Sequence, residues 1–270
     1  MNGAEALAAL VLAGARPGEV DPVARAAGVP FKCLAPLAGR PMVAHVVDTL
    51  ADRAAIRRIL VLAEPEAGLE RLPAIARLLA EGRLALRPPE ASLSASVEAG
   101  LAHTEGLPLL VTTADHPLLD RAILEAFLAP ALASGAAVVV GLAPEWAVRA
   151  AAPSTRRTWW RFADGRFSGA NLFLLRGDAA RPALAFWRRV EAERKRPWRI
   201  VRLLGLGNLL LYLSGRLTLA RAMARASRTL GCSVAAVSIP IGEAAIDVDR
   251  PADLALAEAI LARRAARSPS

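Results

Sequence analysis

Short apolar runs alternate with longer amphipathic segments along most of the chain, at intervals of roughly 25 residues. The apolar runs predict strands at residues 7–12, 56–63, 84–86, 107–113, 136–142, 168–175, 233–239 and 246–249. The amphipathic segments predict helices at residues 41–50, 72–80, 97–103, 120–133, 181–195, 199–213, 217–230 and 251–264. This alternation is typical of a three-layer α/β fold, in which helices cover both faces of a mixed, mostly parallel sheet.

The composition narrows the class of protein. With 270 residues, of which 54% are hydrophobic, the chain can bury a substantial core. No apolar run reaches the roughly 18 residues that a membrane-spanning helix needs, and no basic residue precedes Arg16 as a secretory signal would require. Cys33 and Cys232 lack the spacing of a metal site or of a disulfide framework, so we expect a cytoplasmic protein. We expect one domain over residues 1–264 and a disordered tail at 265–270.

Positive charge is concentrated in one region. The chain has a formal net charge of +9, yet residues 149–230 alone contain seventeen arginines and one lysine against four carboxylates. We expect this helical, basic region to supply insertion or cap segments at 149–167 and 194–230. The tryptophans interleaved with its arginines are Trp159, Trp160, Trp187 and Trp198. The pattern leaves several explanations open: a compositional bias toward arginine, contact with nucleic acid, with a polyphosphate substrate or with an anionic membrane, a cap over the active site, or a homodimer contact.

The loop after the first strand is a candidate phosphate-binding loop. Residues 12–15 lead from an apolar run into Arg16, Pro17 and Gly18. Glycines let backbone amides approach an anion closely, Arg16 can bind phosphate oxygens in a fork, and Lys32 adds a point charge. Neither the GxGxxG pattern of dinucleotide-binding folds nor a Gly-Lys-Ser/Thr loop is present, so the loop belongs to neither of these two classes of phosphate-binding loop.

Three further stretches carry candidate ligands, and open α/β sheets bind ligands beyond the carboxyl ends of their strands. Ser94 and Ser96 lie at the start of a helix, where free amides can bind an anion or a base carbonyl. Asp115 follows a strand and offers the hard oxygen ligand that Mg²⁺ prefers. Asp247 and Asp249 alternate on a predicted strand, so we expect them to share one face, where one of them could complete the Mg²⁺ site.

These stretches together resemble the nucleotidyltransferases of the molybdopterin-guanine-dinucleotide and methylerythritol-phosphate cytidylyltransferase type, whose fold is Rossmann-like and GT-A-like. The resemblance covers residues 8–142 and 168–262. The leading family pattern is matched by Leu12-Ala13-Gly14-Ala15-Arg16, Lys32-Cys33-Leu34 and Gly39-Arg40-Pro41-Met42. The chain departs from that pattern in having one glycine fewer in the loop and a longer run at 19–30. This departure leaves open whether Arg16 or Arg25 meets the phosphates.

The resemblance implies a role for each matching residue. The residues implied in transfer are Arg16, Lys32 and Asp115. The implied nucleotide-binding residues are Leu12, Ala13, Gly14, Ala15, Arg16, Lys32, Ser94 and Ser96. The residues implied beside the acceptor are His116, Gly169 and Asn171, and the cofactor Mg²⁺ would be held by Asp115 with Asp247 or Asp249.

We therefore expect a Mg²⁺-dependent enzyme that transfers a nucleoside monophosphate from an NTP, with CTP or GTP favoured, to a phosphorylated small-molecule acceptor. Pyrophosphate would be released, and positioning with charge neutralisation would supply most of the acceleration. We expect no specific nucleic-acid partner. Two alternatives stay open: a GT-A-type glycosyltransferase that uses a sugar nucleotide, and a non-catalytic module that binds nucleotides or nucleic acid.

Overall fold

The computed structural model describes residues 5–15, 18, 21–153, 155, 157–193 and 206–267. The strands in these ranges are β1 (Leu7–Leu12), β2 (Pro36–Leu37), β3 (Arg40–Pro41), β4 (Ile56–Leu62), β5 (Leu84–Arg87), β6 (Leu109–Thr113), β7 (Val138–Pro144), β8 (Trp160–Phe162), β9 (Gly165–Leu175) and β10 (Val234–Ser238). The α-helices are α1 (Pro22–Ala27), α2 (Met42–Ala51), α3 (Pro73–Ala80), α4 (Leu93–Ala102), α5 (Arg121–Ala133), α6 (Glu145–Ala151), α7 (Arg181–Ala192), α8 (Leu206–Leu213), α9 (Leu219–Leu230) and α10 (Pro251–Arg267).

Eight strands form one mixed sheet, in the order β10-β7-β9-β6-β1-β4-β5, with β8 added on β9. The pairs β1–β4, β1–β6, β4–β5 and β7–β10 are parallel, whereas β9 runs antiparallel to β6, β7 and β8. Leu12, the last residue of β1, lies opposite Leu62 and Thr113, the last residues of β4 and β6. The loops that follow these three central strands therefore meet at one edge of the sheet.

The core fills the space on both faces of the sheet, which confirms the three-layer α/β prediction. Side chains alternate along β1, so that Leu7, Ala9 and Val11 join one apolar cluster and Ala8 and Leu10 join another. The first cluster includes the buried faces of α2, α3 and α5, and the second includes those of α4 and α7. Burial on both faces explains why the central strands are apolar almost throughout.

Several elements differ from the sequence predictions. The prediction of a strand at 246–249 is wrong, because this segment pairs with no strand and is held to the sheet edge by the Val248 N–H, which donates to the Asp115 carbonyl at 2.9 Å. The last helix continues to Arg267, so the first three residues of the expected tail at 265–270 are helical. Helices α1 and α6 and the edge strand β8 were not predicted.

The basic region is partly described. Its expected insertion segment at 149–167 includes β8, and Trp159 packs against a small buried cluster formed by Ala143, Val148 and Ala245. None of the helices in the described ranges combines the length and the apolar character that crossing a bilayer requires. Residues 194–205, which include Trp198, lie outside the described residues. The expected cap, membrane or homodimer role of this region stays a prediction.

Candidate active site

A cavity of about 720 Å³ lies at the sheet edge where β1 and β6 end. Its walls come from the loop after β1, from α1, from the turn around Lys32 and from the residues that follow β6. The lining residues are Leu12, Ala13, Gly14, Ala15, Asp21, Pro22, Ala24, Arg25, Val29, Pro30, Phe31, Lys32, Cys33, Ala114, Asp115 and Asp249. Seven of the residues predicted from the sequence to form the site are therefore brought together around one space.

The loop after β1 passes close to two other segments. A Cβ atom at Gly14 would lie 3.0 Å from the Cβ atom of Pro89, so the absence of a side chain there permits this close approach. The next amide, Ala15 N–H, donates to the Glu64 carboxylate at 2.7 Å. The Glu64 carboxylate thus already accepts the hydrogen bond of one amide in the loop that was predicted to bind phosphate. Arg16 lies outside the described residues, so its predicted contact with the nucleotide stays a prediction.

The longer run before Lys32 contains a short helix that adds a cation to the cavity wall. Asp21 caps α1 by accepting from the amides of Val23 and Ala24, Pro22 occupies its first turn, and Gly28 ends it with a φ of 66°. Arg25, in the last turn, is exposed and lines the cavity. Within the part of the chain that the structure describes, Arg25 has no ion-pair partner. Its guanidinium is therefore available to a phosphate.

Lys32, Asp115 and Asp249 form the charged centre of the cavity. The Lys32 ammonium lies 2.6 Å from Asp115 Oδ2 and 2.9 Å from Asp249 Oδ1. Thr113 Oγ1 donates to the other carboxylate oxygen of Asp115 at 2.5 Å and fixes its orientation. Burial acts to lower the pKa of Lys32, but the two carboxylates outweigh it and raise that pKa above its usual value. The ammonium therefore remains charged at neutral pH.

Asp247 lies against different partners from Asp249. Its carboxylate forms an ion pair with the Arg157 guanidinium and accepts a hydrogen bond from Asn171 Nδ2 at 3.2 Å. The side chain of Asp249, by contrast, is 62% exposed and lines the cavity. The expectation that both aspartates share one face is wrong, because the segment is not a strand. Asp247 faces Arg157 and Asn171, whereas Asp249 faces Lys32 and the cavity.

Asp115 and Asp249 are the pair that fits a metal ion. Both present an oxygen atom to the same ammonium, so these oxygens lie no farther apart than the sum of their two distances to it. Mg²⁺ is commonly held by one or two carboxylates together with substrate phosphates, and the donor chemistry here agrees with that pattern. Among the described residues, no group of three or more His, Cys, Asp or Glu side chains is close enough together to hold a metal ion by itself.

Ser94 and Ser96 are buried at the start of α4 and do not line the cavity. Glu191 of α7 accepts from Leu93 N–H at 3.1 Å, from Ser94 N–H at 3.3 Å and from the Ser94 hydroxyl at 2.5 Å. Ser96 Oγ accepts from the Glu90 N–H at 3.0 Å. The chain itself thus uses the polar groups that were predicted to contact a nucleotide, and that role stays a prediction.

The three residues predicted beside the acceptor are also away from the cavity lining. His116 is 1% exposed, and burial lowers its pKa to about 4 against the opposing effect of Asp115 and Asp120, so its ring is neutral at pH 7. Neither ring nitrogen has a hydrogen-bond partner among the described residues. Gly169 pairs with Leu142 between β9 and β7, and Asn171 binds Asp247. Their contact with an acceptor stays a prediction.

Cys33 lies on the cavity wall but is not suited to act as a nucleophile. The residue is buried, and burial together with the nearby charge of Glu64 raises the pKa of its thiol to about 12. A thiol with that pKa stays protonated at neutral pH. Cys33 therefore serves as a small buried apolar residue of the cavity wall.

Sequence reasoning missed two residues that shape the site, Glu64 and Arg157. Glu64 ends the run after β4 and reaches a loop 49 positions earlier, and Arg157 reaches Asp247 across 90 positions. No local pattern marks either contact. Arg25 was weighed as a phosphate ligand, and the capping signals of Asp21, Pro22 and Gly28 could have located its helix.

Comparison with known proteins identifies the class. Residues 9–202 match the family model described as MobA-like NTP transferase domain. A solved structure of a hypothetical transferase from Thermus thermophilus is 37% identical, covers 92% of this chain and 99% of its own, and has a TM-score of 0.77. No curated protein matches the chain.

Two more distant structures share the fold. The structure of CMP:2-keto-3-deoxy-manno-octonic acid synthetase complexed with CTP is 15% identical, with a TM-score of 0.57 and coverage of 96% of this chain and 100% of its own. 4-Diphosphocytidyl-2C-methyl-D-erythritol synthase from Anaerococcus prevotii is 11% identical, with a TM-score of 0.56 and coverage of 96% and 99%. At these identities the likeness concerns the fold alone.

The sheet, the cavity at its edge and the family match together define a nucleotidyltransferase. The match extends over well more than half of the residues. The chain belongs to the MobA-like NTP transferase domain family, which confirms the resemblance seen in the sequence.

Proposed function

We propose that this nucleotidyltransferase moves a nucleoside monophosphate from an NTP to a phosphorylated small-molecule acceptor in the cytoplasm, with Mg²⁺ as cofactor. The observation that carries the proposal is the group of Lys32, Asp115 and Asp249 on the wall of a cavity beside the loop after β1. A cation held between two carboxylates, one just after β6 and one in the loop at 246–249, suits the binding of both a metal ion and a polyphosphate.

The residues of the chain have distinct parts in this reaction. Gly14 and Ala15 bring the backbone close to the triphosphate, and Lys32 and Arg25 place positive charge beside its oxygens. Asp115 and Asp249 are the carboxylates that would hold Mg²⁺, and Arg16 remains a predicted phosphate ligand. When bound, Mg²⁺ neutralises part of the negative charge of the phosphates. An acceptor phosphate positioned against the α-phosphate then displaces pyrophosphate.

CTP is the first NTP to test. Two structures of the same fold are named for cytidylyl compounds, and one of them is described as complexed with CTP. GTP comes second, because the matching family is described as MobA-like and the sequence resembles guanylyl as well as cytidylyl transferases.

A pyrophosphate-release screen tests the proposal. The four NTPs are each paired with a panel of sugar, polyol and cofactor phosphates in the presence of Mg²⁺, using the full chain. Asp115→Asn removes one metal-ligand charge, and Asp178→Asn is the matched control because that aspartate is exposed and far along the chain from the cavity residues. We expect turnover with one pair, lost in Asp115→Asn and kept in Asp178→Asn. Turnover that survives in Asp115→Asn would contradict the mechanism.

A further inference from the structure

We propose that Arg157 is a positioning residue for this site, which aims Asp249 at the metal by holding its neighbour Asp247. The inference rests on the proposed function, because it assigns Asp249 as a ligand of the metal ion. It concerns a residue that touches neither nucleotide nor metal in the proposed reaction. Arg157 lies in the segment at 149–167 that the sequence predicts to be an insertion or cap.

Arg157 is almost entirely enclosed by acidic and polar groups. Its side chain is 9% exposed and forms an ion pair with the Asp247 carboxylate. One guanidinium nitrogen donates to the Asp247 carbonyl at 3.0 Å, and Nε donates to Thr155 Oγ1 at 3.2 Å. Asp253 Oδ1 lies 3.8 Å from the same group. Arg157 therefore grips both the side chain and the backbone of Asp247, which a simple charge partner would not do.

Asp247 is held from a second direction. Asn171 Nδ2 donates to its carboxylate at 3.2 Å, and Asn171 has a φ of 48° beside the irregular register between β7 and β9. A left-handed conformation inside a strand is uncommon for a residue other than glycine and turns the side chain out of the regular pleat. Two separate elements thus converge on one aspartate.

Three successive residues of the loop consequently have fixed partners. Asp247 is held by Arg157 and Asn171, the Val248 N–H donates to the Asp115 carbonyl at 2.9 Å, and Asp249 meets Lys32 at 2.9 Å. Only Val248 separates Asp247 from Asp249, so holding Asp247 and the Val248 amide in place restricts where the Asp249 carboxylate can lie. The side chain of Asp249 is largely exposed, so little else packs around it to define its direction.

Charge also explains why this position holds an arginine. Asp247 and Asp253 are both largely buried, and a buried carboxylate without a cation is strongly unfavourable. Asp253 has a second partner, since Arg250 Nε lies 3.2 Å from its Oδ2. Asp247 depends on Arg157 for its positive charge among the described residues. Removal of the guanidinium would therefore free the loop and also leave Asp247 uncompensated.

Mn²⁺ binding by the full chain tests the proposal without any substrate. Mn²⁺ suits carboxylate ligands as Mg²⁺ does, and electron paramagnetic resonance counts the free ion. We expect Arg157→Met to weaken Mn²⁺ binding by about 10- to 100-fold, as loss of a residue that orients a ligand does. Arg157→Lys should recover part of this loss. Arg161→Met is the matched control, because Arg161 is an exposed arginine of the same segment, and it should bind Mn²⁺ as the parent chain does.

A double variant separates positioning from charge balance. Arg157→Met combined with Asp247→Asn leaves no unpaired buried charge, so its melting temperature should return toward that of the parent chain. If Arg157 positions Asp249, Mn²⁺ binding should remain weakened in this double variant. Recovery of Mn²⁺ binding together with stability would overturn the proposal, and the double variant decides the question even where Arg157→Met alone does not fold.

Kinetics add a second readout. We expect Arg157→Met to raise the Mg²⁺ concentration that gives half-maximal activity and to lower kcat, with KM for the NTP little changed. If the parent chain binds Mn²⁺ and Arg157→Met weakens it, but no NTP turns over, then the positioning role stands and the proposed function fails. Absence of Mn²⁺ binding by the parent chain at millimolar concentrations would overturn the positioning role itself.

Discussion

Two places in this molecule carry strong sequence signals for a ligand, yet they are built in opposite ways. At the ends of β1 and β6, Lys32, Asp115 and Asp249 hold one another and face a cavity. At the start of α4, Ser94 and Ser96 are buried, and their polar groups are bonded to Glu191 and to the Glu90 backbone. A helix start or a strand end supplies polar groups, but the rest of the chain decides whether a ligand can reach them.

The difference follows from how buried polar groups are satisfied. Amides at a helix start need acceptors, and a carboxylate from a neighbouring helix serves as well as a phosphate would. Glu191 on α7 has this position because α7 packs beside α4 on the same face of the sheet. At the strand ends, by contrast, the lining elements leave space in front of the charged groups.

Of the changes that test this difference between the two places, Lys32→Met should have the largest effect on activity. Without the ammonium, the triphosphate loses a charge partner, and we expect kcat/KM to fall by about 10²- to 10³-fold. The same change should strengthen Mn²⁺ binding in the absence of nucleotide, because Asp115 and Asp249 lose the cation that competes for their oxygens. Steady-state kinetics and an Mn²⁺ titration measure the two effects. Arg71→Met is the control, because Arg71 is an exposed residue on another part of the chain. If kcat/KM of Lys32→Met equals that of this control, Lys32 has no part in the reaction.

Arg25→Met tests whether the helix before Lys32 contributes to the nucleotide site. Loss of one charge-assisted contact with a phosphate should raise KM for the NTP by about tenfold, with a smaller change in kcat. The measurement is the dependence of the initial rate on NTP concentration. An unchanged KM would mean that Arg25 lines the cavity without binding the NTP. Arg16 would then remain the predicted phosphate ligand.

Glu191→Ala tests the α4 side of the comparison. The change removes an acceptor from two helix-start amides and a hydroxyl, so the free energy of unfolding should fall by about 1 kcal/mol. KM for the NTP should not change, because Glu191 does not line the cavity. A lower KM in Glu191→Ala would mean that the start of α4 binds the nucleotide and that Glu191 competes with it.

The smallest expected effect concerns the pH dependence of the same contact. Burial acts to raise the pKa of Glu191, but hydrogen bonds from Ser94 and its neighbours outweigh it and lower that pKa. A lowered pKa in the folded state stabilises the fold above the unfolded-state pKa of about 4.3, and the stabilisation is lost as the pH falls through the folded-state value. Urea unfolding should therefore show a constant difference between the parent chain and Glu191→Gln from pH 6 to pH 8. The difference should shrink below about pH 4.3, and a difference that grows there would contradict the assignment.

The sequence was a good guide where a signal is local. Apolar runs located the central strands, and the position of Asp115 immediately after β6 placed it correctly at the sheet edge. The prediction for Asp249 also led to the cavity. The strands and Asp115 share one cause, because the end of a strand and the residues just beyond it are fixed by the pattern of that strand alone. Asp249 reaches the cavity although the strand predicted for it does not form.

The sequence was a poor guide where a residue depends on a distant partner. The expectation for Asp247 assumed a strand, whereas Arg157 and Asn171 determine where its side chain lies. Glu64 reaches the loop after β1 through a contact that no spacing reveals. Such contacts form only when distant elements have packed together, and no pattern of spacing in a single sequence indicates them.

The bond between the Val248 amide and the Asp115 carbonyl has a consequence for how the enzyme is made. Lys32 and Asp249 are 217 positions apart. Translation therefore produces Lys32 long before it produces Asp249, the second carboxylate that pairs with it. Strands β1, β4 and β6 all precede the basic region in the chain, so we expect them to pair with one another before that region has been made. We expect a nascent chain to bring Asp249 to Lys32 and Asp115, and so to form the proposed metal site, only after residues 246–249 have left the ribosome.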